Sequence, residues 1–132
     1  MNLLLLHLAC YNGNIDIVNI LLKYNCSVNL CSTNGYTPLH AACINGNIDI
    51  VNSLLKCNSS VNLYDNNGFT TLHSACINGN IDIVNSLLKC NSSANLYDTN
   101  GFTPLHAACI NGNIDIVNSL LKCNSSVNLC ST

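Results

Sequence analysis

Apolar residues in the stretch Asn47-Ile48-Asp49-Ile50-Val51-Asn52-Ser53-Leu54-Leu55-Lys56 recur at spacings of three and four. Ile50, Val51, Leu54 and Leu55 therefore share one stripe of a helix. Asp49 in its first turn and Lys56 in its last both suit the helix dipole. Just upstream, Thr37 can serve as N-cap and Pro38 as first helical residue, where the N–H that proline lacks has no intrahelical partner anyway. That first helix runs to about Asn45. Gly46 can take the left-handed conformation that stops it, Asn47 can cap the second helix, and Asn58 can stop that one in turn. Two short antiparallel helices and a turn segment result.

The pattern repeats. Gly-Asn-Ile-Asp-Ile-Val-Asn stands at Gly13, Gly46, Gly79 and Gly112, each copy 33 positions after the last. A fixed period of this length marks a solenoid, whose units bury their apolar faces by stacking on neighbours. The expected fold is an all-α repeat solenoid, one array over 1–132, with a degenerate unit at 1–33 and near-identical units at 34–66, 67–99 and 100–132. Between units, Val61-Asn62-Leu63-Tyr64-Asp65-Asn66-Asn67-Gly68-Phe69 reads as a hairpin-like finger, Asn and Gly supplying the positive φ of its turn. All seven glycines follow an asparagine.

The register also explains the N-terminus. Leu4-Leu5-Leu6-His7-Leu8-Ala9-Cys10 falls on Thr37-Pro38-Leu39-His40-Ala41-Ala42-Cys43, so the leucines belong to a first helix. A secretory signal would need a basic start and a cleavage-site spacing, and neither is present. No stretch approaches the roughly 20 apolar residues that span a bilayer, so no membrane partner is expected. Four Lys, no Arg and six Asp leave a formal charge of -2. Phosphate binding needs clustered cations, whereas Lys23, Lys56, Lys89 and Lys122 stand one per unit. Nucleic acid is not an expected partner.

Ten Cys and four His raise the question of metal. His40 and Cys43 could share a helix face, and the pair recurs as His7/Cys10, His73/Cys76 and His106/Cys109. Zinc wants four ligands converging at about 2.0–2.3 Å, while equivalent positions on stacked helices lie roughly 8–10 Å apart. The same spacing disfavours a disulfide ladder through Cys57, Cys90 and Cys123. Cys10, Cys43, Cys76 and Cys109 read as small core residues and the others as free thiols of a reducing, cytoplasmic setting. No cofactor and no catalysis are expected. A catalytic cleft brings different groups together, and here Cys, His and Asp occupy the same place in every unit. Asp49, Asp82 and Asp115 serve helix dipoles instead. The Asn-x-Ser sequons at Asn25, Asn58, Asn91 and Asn124 carry weight only in a secreted chain.

Gly-Tyr-Thr-Pro-Leu-His at Gly35–His40, Gly-Phe-Thr-Pro-Leu-His at Gly101–His106, Gly46-Asn47-Ile48-Asp49-Ile50-Val51 with Leu54-Leu55, and Val61-Asn62 together resemble the ankyrin repeat. The resemblance covers essentially the whole chain. Thr71 departs from it where the family has Pro, Asn25, Asn58, Asn91 and Asn124 where it usually has Gly, and Ser32 at the turn Asp kept at Asp65 and Asp98. The resemblance implies that His40, His73 and His106 tie adjacent turns by hydrogen bonding. It also implies a protein–protein interaction module whose concave face of fingers and first helices meets a partner protein. Carried onto that face are Cys31, Tyr64 and Tyr97 beside the turn, and Asn66 and Asn67 at its tip. After the turn glycine come Tyr36, Phe69 and Phe102. Ile44, Asn45, Ile77, Asn78, Ile110 and Asn111 close the first helices. Aromatics flanked by Asn suit a neutral partner surface, although Phe69 and Phe102 could serve only to pack the turn.

The near-identity of units two to four implies either a repetitive partner or copies not yet shaped for one target. The rival reading is a structural spacer, or a fragment of a larger repeat protein whose activity lies in another domain. Both ends fall inside a unit, with Leu3–Leu6 in place of a turn and Thr132 short of the next turn glycine. The stripe of Ile116, Val117, Leu120 and Leu121 is then expected to lack part of its cover and to promote self-association.

Overall fold

The computed structural model describes residues 2–24 and 27–123. Eight helices follow in pairs among them: α1 (Asn2–Asn12) and α2 (Ile15–Lys23), α3 (Pro38–Asn45) and α4 (Ile48–Lys56), α5 (Thr71–Asn78) and α6 (Ile81–Lys89), α7 (Pro104–Asn111) and α8 (Ile114–Cys123). The first helices pack in the order α1, α3, α5, α7, and the second helices form a parallel file α2, α4, α6, α8. Each pair also packs within itself. The chain is therefore a two-layer solenoid, with the leucine-rich start as its first helix.

Local chemistry sets the helix ends. Thr37 accepts a hydrogen bond from the His40 N–H at 3.2 Å, while His40 Nδ1 accepts one from the Thr37 N–H at 3.1 Å, closing a capping box. Gly46 stops α3 at φ 75° and Asn47 caps α4 through Ile50 N–H. At the far end Asn58 is left-handed at φ 65°, letting the Ser59 N–H reach back to Leu54 O at 3.2 Å. Asn91 does the same at φ 68°. The corresponding Asn25 and Asn124 lie outside the described residues, as do Cys26 and Cys130.

The two layers differ in burial. In α3 every residue from Pro38 to Cys43 is buried, because that helix is pressed between its neighbours and its own partner. Among the second helices α4 and α6 keep a polar outer face, with only Ile50, Val51 and Leu54 of α4 buried, whereas α2 and α8 expose Ile17, Ile20, Ile114 and Leu121. The core thus repeats Leu39, Ala42, Cys43, Ile50, Val51 and Leu54 as Leu72, Ala75, Cys76, Ile83, Val84 and Leu87, all without solvent exposure. Each such large aliphatic contributes about 1.5–3 kcal/mol. Thr71, standing where α3 has Pro, is buried and its hydroxyl donates to Val61 O at 3.1 Å.

One expectation needs correction. Cys109 is exposed and not a core residue. Cys43 and Cys76 are covered by the next first helix, and among the described residues no first helix follows α7. Of the stripe on α8, Ile116 and Leu120 are fully buried because α8 packs on both α6 and α7. Val117 is half-buried and Leu121 exposed, so part of the stripe lacks cover among the described residues, as expected.

Candidate functional site

The fingers between helix pairs are built from side chain to backbone. In the finger leading to α5, the Asp65 N–H donates to Phe69 O at 2.9 Å and the Gly68 N–H donates to Asp65 O at 2.9 Å. Asp65 Oδ1 then accepts from the Asn67 and Phe69 N–H groups at 2.8 and 3.0 Å. Asp98 holds the next finger in the same way. A single antiparallel bridge, Tyr64 to Thr70, is all the strand pairing among the described residues. Successive fingers are zipped by the backbone, Asn66 N–H to Asn34 O and Thr99 N–H to Asn67 O, both at 3.0 Å.

A second tie runs from helix to finger. The carbonyls of Tyr36, Phe69 and Phe102 accept from Nε2 of His7, His40 and His73 at 2.8, 2.9 and 2.8 Å. A carbonyl can only accept and the Thr37 N–H can only donate, so His40 is a neutral imidazole protonated on Nε2. Its pKa is held below the usual 6.5, chiefly by burial, against the opposing pull of the Phe69 carbonyl and Asp65. His40 and His73 thus tie adjacent turns as the resemblance implies. Tyr36, Phe69 and Phe102 also lay their rings against His40, His73 and His106, with centroids 5.5, 5.6 and 5.2 Å apart. These three aromatics pack the turn, and Phe102 remains 45 % exposed as well.

Among the described residues, fingers and first helices line these recesses. One of about 610 Å³ lies between two fingers and is lined by Tyr64, Thr70, Leu96, Tyr97 and Asp98. Another, about 180 Å³, runs between α5 and α7 past Phe69, Ile77, Phe102 and Ile110. A third, about 410 Å³, sits at α1 and α3 and includes Leu8, Tyr11, Tyr36 and Ile44. Among the described residues Asp98 is the one carboxylate lining these recesses, and its Oδ1 is spent on the turn. Tyr64 and Tyr97 stand out at 63 % and 70 % exposure.

The remaining residues assigned from sequence separate by what their side chains do. Ile44, Ile77 and Ile110 are exposed at one register of successive first helices. Asn45 is exposed next to Ile44, and Cys31 is exposed in the segment between α2 and α3, its Sγ lying 3.8 Å from Asn29 O. Asn66 Nδ2 donates to Thr33 O of the preceding finger at 3.1 Å. Asn67 is exposed at the tip. Asn78 Nδ2 donates to Cys43 O and Ile44 O at 2.9 and 2.8 Å, and Asn111 Nδ2 to Cys76 O and Ile77 O. Those two amides bind the array to itself. Sequence reasoning missed Leu8, Tyr11 and Leu96, although Tyr11 stands 33 positions before Ile44 and could have been found by register alone.

The buried thiols offer no nucleophile. Burial pushes Cys10 and Cys76 up to about 12 and raises Cys43 as well, so all three stay protonated at neutral pH. Among the described residues no three of His, Cys, Asp and Glu converge as a metal site would require. None of the described helices is long and apolar enough to cross a membrane. A family model described as ankyrin repeats (3 copies) matches residues 2–65 and 47–130. Comparison with individual curated proteins found no match.

Proposed function

This chain belongs to the ankyrin-repeat family, and we propose that it binds a partner protein on the face made by its fingers and first helices. Ankyrin repeats are generally protein–protein interaction modules and are typically non-catalytic. One observation carries the choice of face: Tyr11, Ile44, Ile77 and Ile110 repeat at one register of α1, α3, α5 and α7, all exposed, and each lines a recess. The lysines lie elsewhere, in the last turns of the second helices. A face without lysine, studded with Tyr and Ile and with Asp98 committed to its turn, fits a neutral, partly apolar protein surface, where aromatic anchors supply area at low entropic cost. It does not fit nucleic acid.

The test replaces Tyr64, Ile77 and Tyr97 together with Ser, since all three are exposed and none supports the core. The variant should keep its helical circular dichroism and lose capture of whatever partner the parent retains from lysate. Equal capture by both proteins would move the interface to another face or favour the spacer reading.

A further inference from the structure

Seven Asn-Gly pairs, headed by Asn12, Asn34, Asn45, Asn67, Asn78, Asn100 and Asn111, punctuate the chain. In such a pair the glycine peptide nitrogen, once deprotonated, can attack the asparagine Cγ. The C–N bond to the side-chain amide breaks and ammonia leaves. A succinimide remains, and water opens it to aspartate or, through the other carbonyl, to isoaspartate. Glycine favours the attack because it has no Cβ to obstruct it. Two things oppose the reaction in a folded chain: a hydrogen bond that keeps the glycine N–H engaged, and contacts that stop the asparagine amide from swinging toward that nitrogen.

On both counts the fold separates the finger-tip pairs from those of Asn78 and Asn111. At the helix stops the N–H groups of Gly46, Gly79 and Gly112 are each shared between two carbonyls of the preceding turn. Asn78 and Asn111 are further fixed by Nδ2 bonds to the unit before. At the finger tips the N–H groups of Gly35, Gly68 and Gly101 each make one turn bond, to Ser32 O, Asp65 O and Asp98 O. The side chains of Asn34, Asn67 and Asn100 are exposed there and make no hydrogen bond among the described residues.

We propose that Asn34, Asn67 and Asn100 are sites of spontaneous deamidation to aspartate and isoaspartate, from which Asn78 and Asn111 are protected by their bonds to the preceding unit. Each event adds one negative charge to a chain whose formal charge is only -2. At Asn34 and Asn67 isoaspartate does more, because it routes the main chain through Cβ. The carbonyls of these two residues hold the next finger through Asn66 N–H and Thr99 N–H. Displacing them unzips neighbouring fingers beside the recess of Tyr64 and Tyr97.

The full chain is incubated in mildly alkaline buffer, native and in concentrated urea, and peptides are followed by mass spectrometry with isoaspartyl methyltransferase labelling. In the native arm the tip peptides should convert several-fold faster than those containing Asn78 and Asn111, and in urea the two sets should converge. Equal native rates, faster conversion at Asn78 or Asn111, or a difference that persists in urea would overturn the assignment. Replacing Asn67 with Ser should remove its site and leave conversion at Asn100 unchanged. An altered Asn100 rate would show that finger contacts, not local accessibility, control the chemistry.

Discussion

Nε2 of His40 donates to the carbonyl oxygen of Phe69 at 2.9 Å, across 29 residues of sequence, while its Nδ1 accepts from the Thr37 N–H. One imidazole therefore caps its own helix and anchors the following finger. The Nδ1 bond requires the neutral ring, because a protonated Nδ1 can only donate, whereas the Nε2 bond survives protonation.

Stability should fall on acidification for that reason. The folded pKa of His40 lies below 6.5, its unfolded value, so as pH drops the unfolded chain takes up the proton first. The contribution of this residue is complete above pH 6.5 and is lost as pH falls through the lower folded value. Urea midpoints measured across that range should decline, and His40→Gln should flatten part of the decline. A parent protein that gains stability on acidification would contradict this sign.

Gly68 and Gly101 share a left-handed conformation, φ 80° and 82°, but differ in surroundings. A Cβ on Gly68 would meet the Asp98 Cα at 2.9 Å, whereas Gly101 has nothing within 4 Å among the described residues. Gly101→Ala should cost about 1–2 kcal/mol, the intrinsic penalty of that backbone region. Gly68→Ala should cost about 1–3 kcal/mol more, because the next finger must move. Thermal unfolding of the two variants checks the difference, and equal costs would mean that the fingers are not in close contact.

Thiol reactivity should divide by burial. Cys31, Cys57, Cys90, Cys109 and Cys123 are exposed and should react with an aromatic disulfide reagent in the native protein. Cys10, Cys43 and Cys76 are buried and protonated and should react only on unfolding. Labelling after anaerobic purification, with peptide mapping, reads both classes. Rapid native labelling at Cys43 would show that α3 and α5 part readily.

Ser59 Oγ is buried and has no hydrogen-bond partner among the described residues. Ser59→Ala should therefore raise stability by about 1 kcal/mol, the lower range of the penalty for an unpaired buried hydroxyl. A lowered urea midpoint would reveal a partner for that hydroxyl.

The sequence alone determined the helices, their ends and their period. Thr37, Pro38, Gly46, Asn47 and Asn58 act on backbone groups within five positions of themselves, so identity and spacing are enough to read them. Stacking was legible too, because an apolar stripe repeated every 33 residues has no other way to be covered. Only the tertiary structure decided how each side chain at the unit boundaries is used. Asn78 and Asn111 were indistinguishable in sequence from free surface asparagines, yet their amides close bonds at separations of 34 and 35 residues. Cys109 shares its register with buried Cys43 and Cys76 and is exposed, because burial depends on which helix lies alongside. Thr71 looked like a loss of proline and turned out to bond Val61 O. Local hydrogen bonds are set by residue type and spacing. Contacts between units are set by the offset and rotation of one unit on the next, which arise only when the cores of all the units pack together.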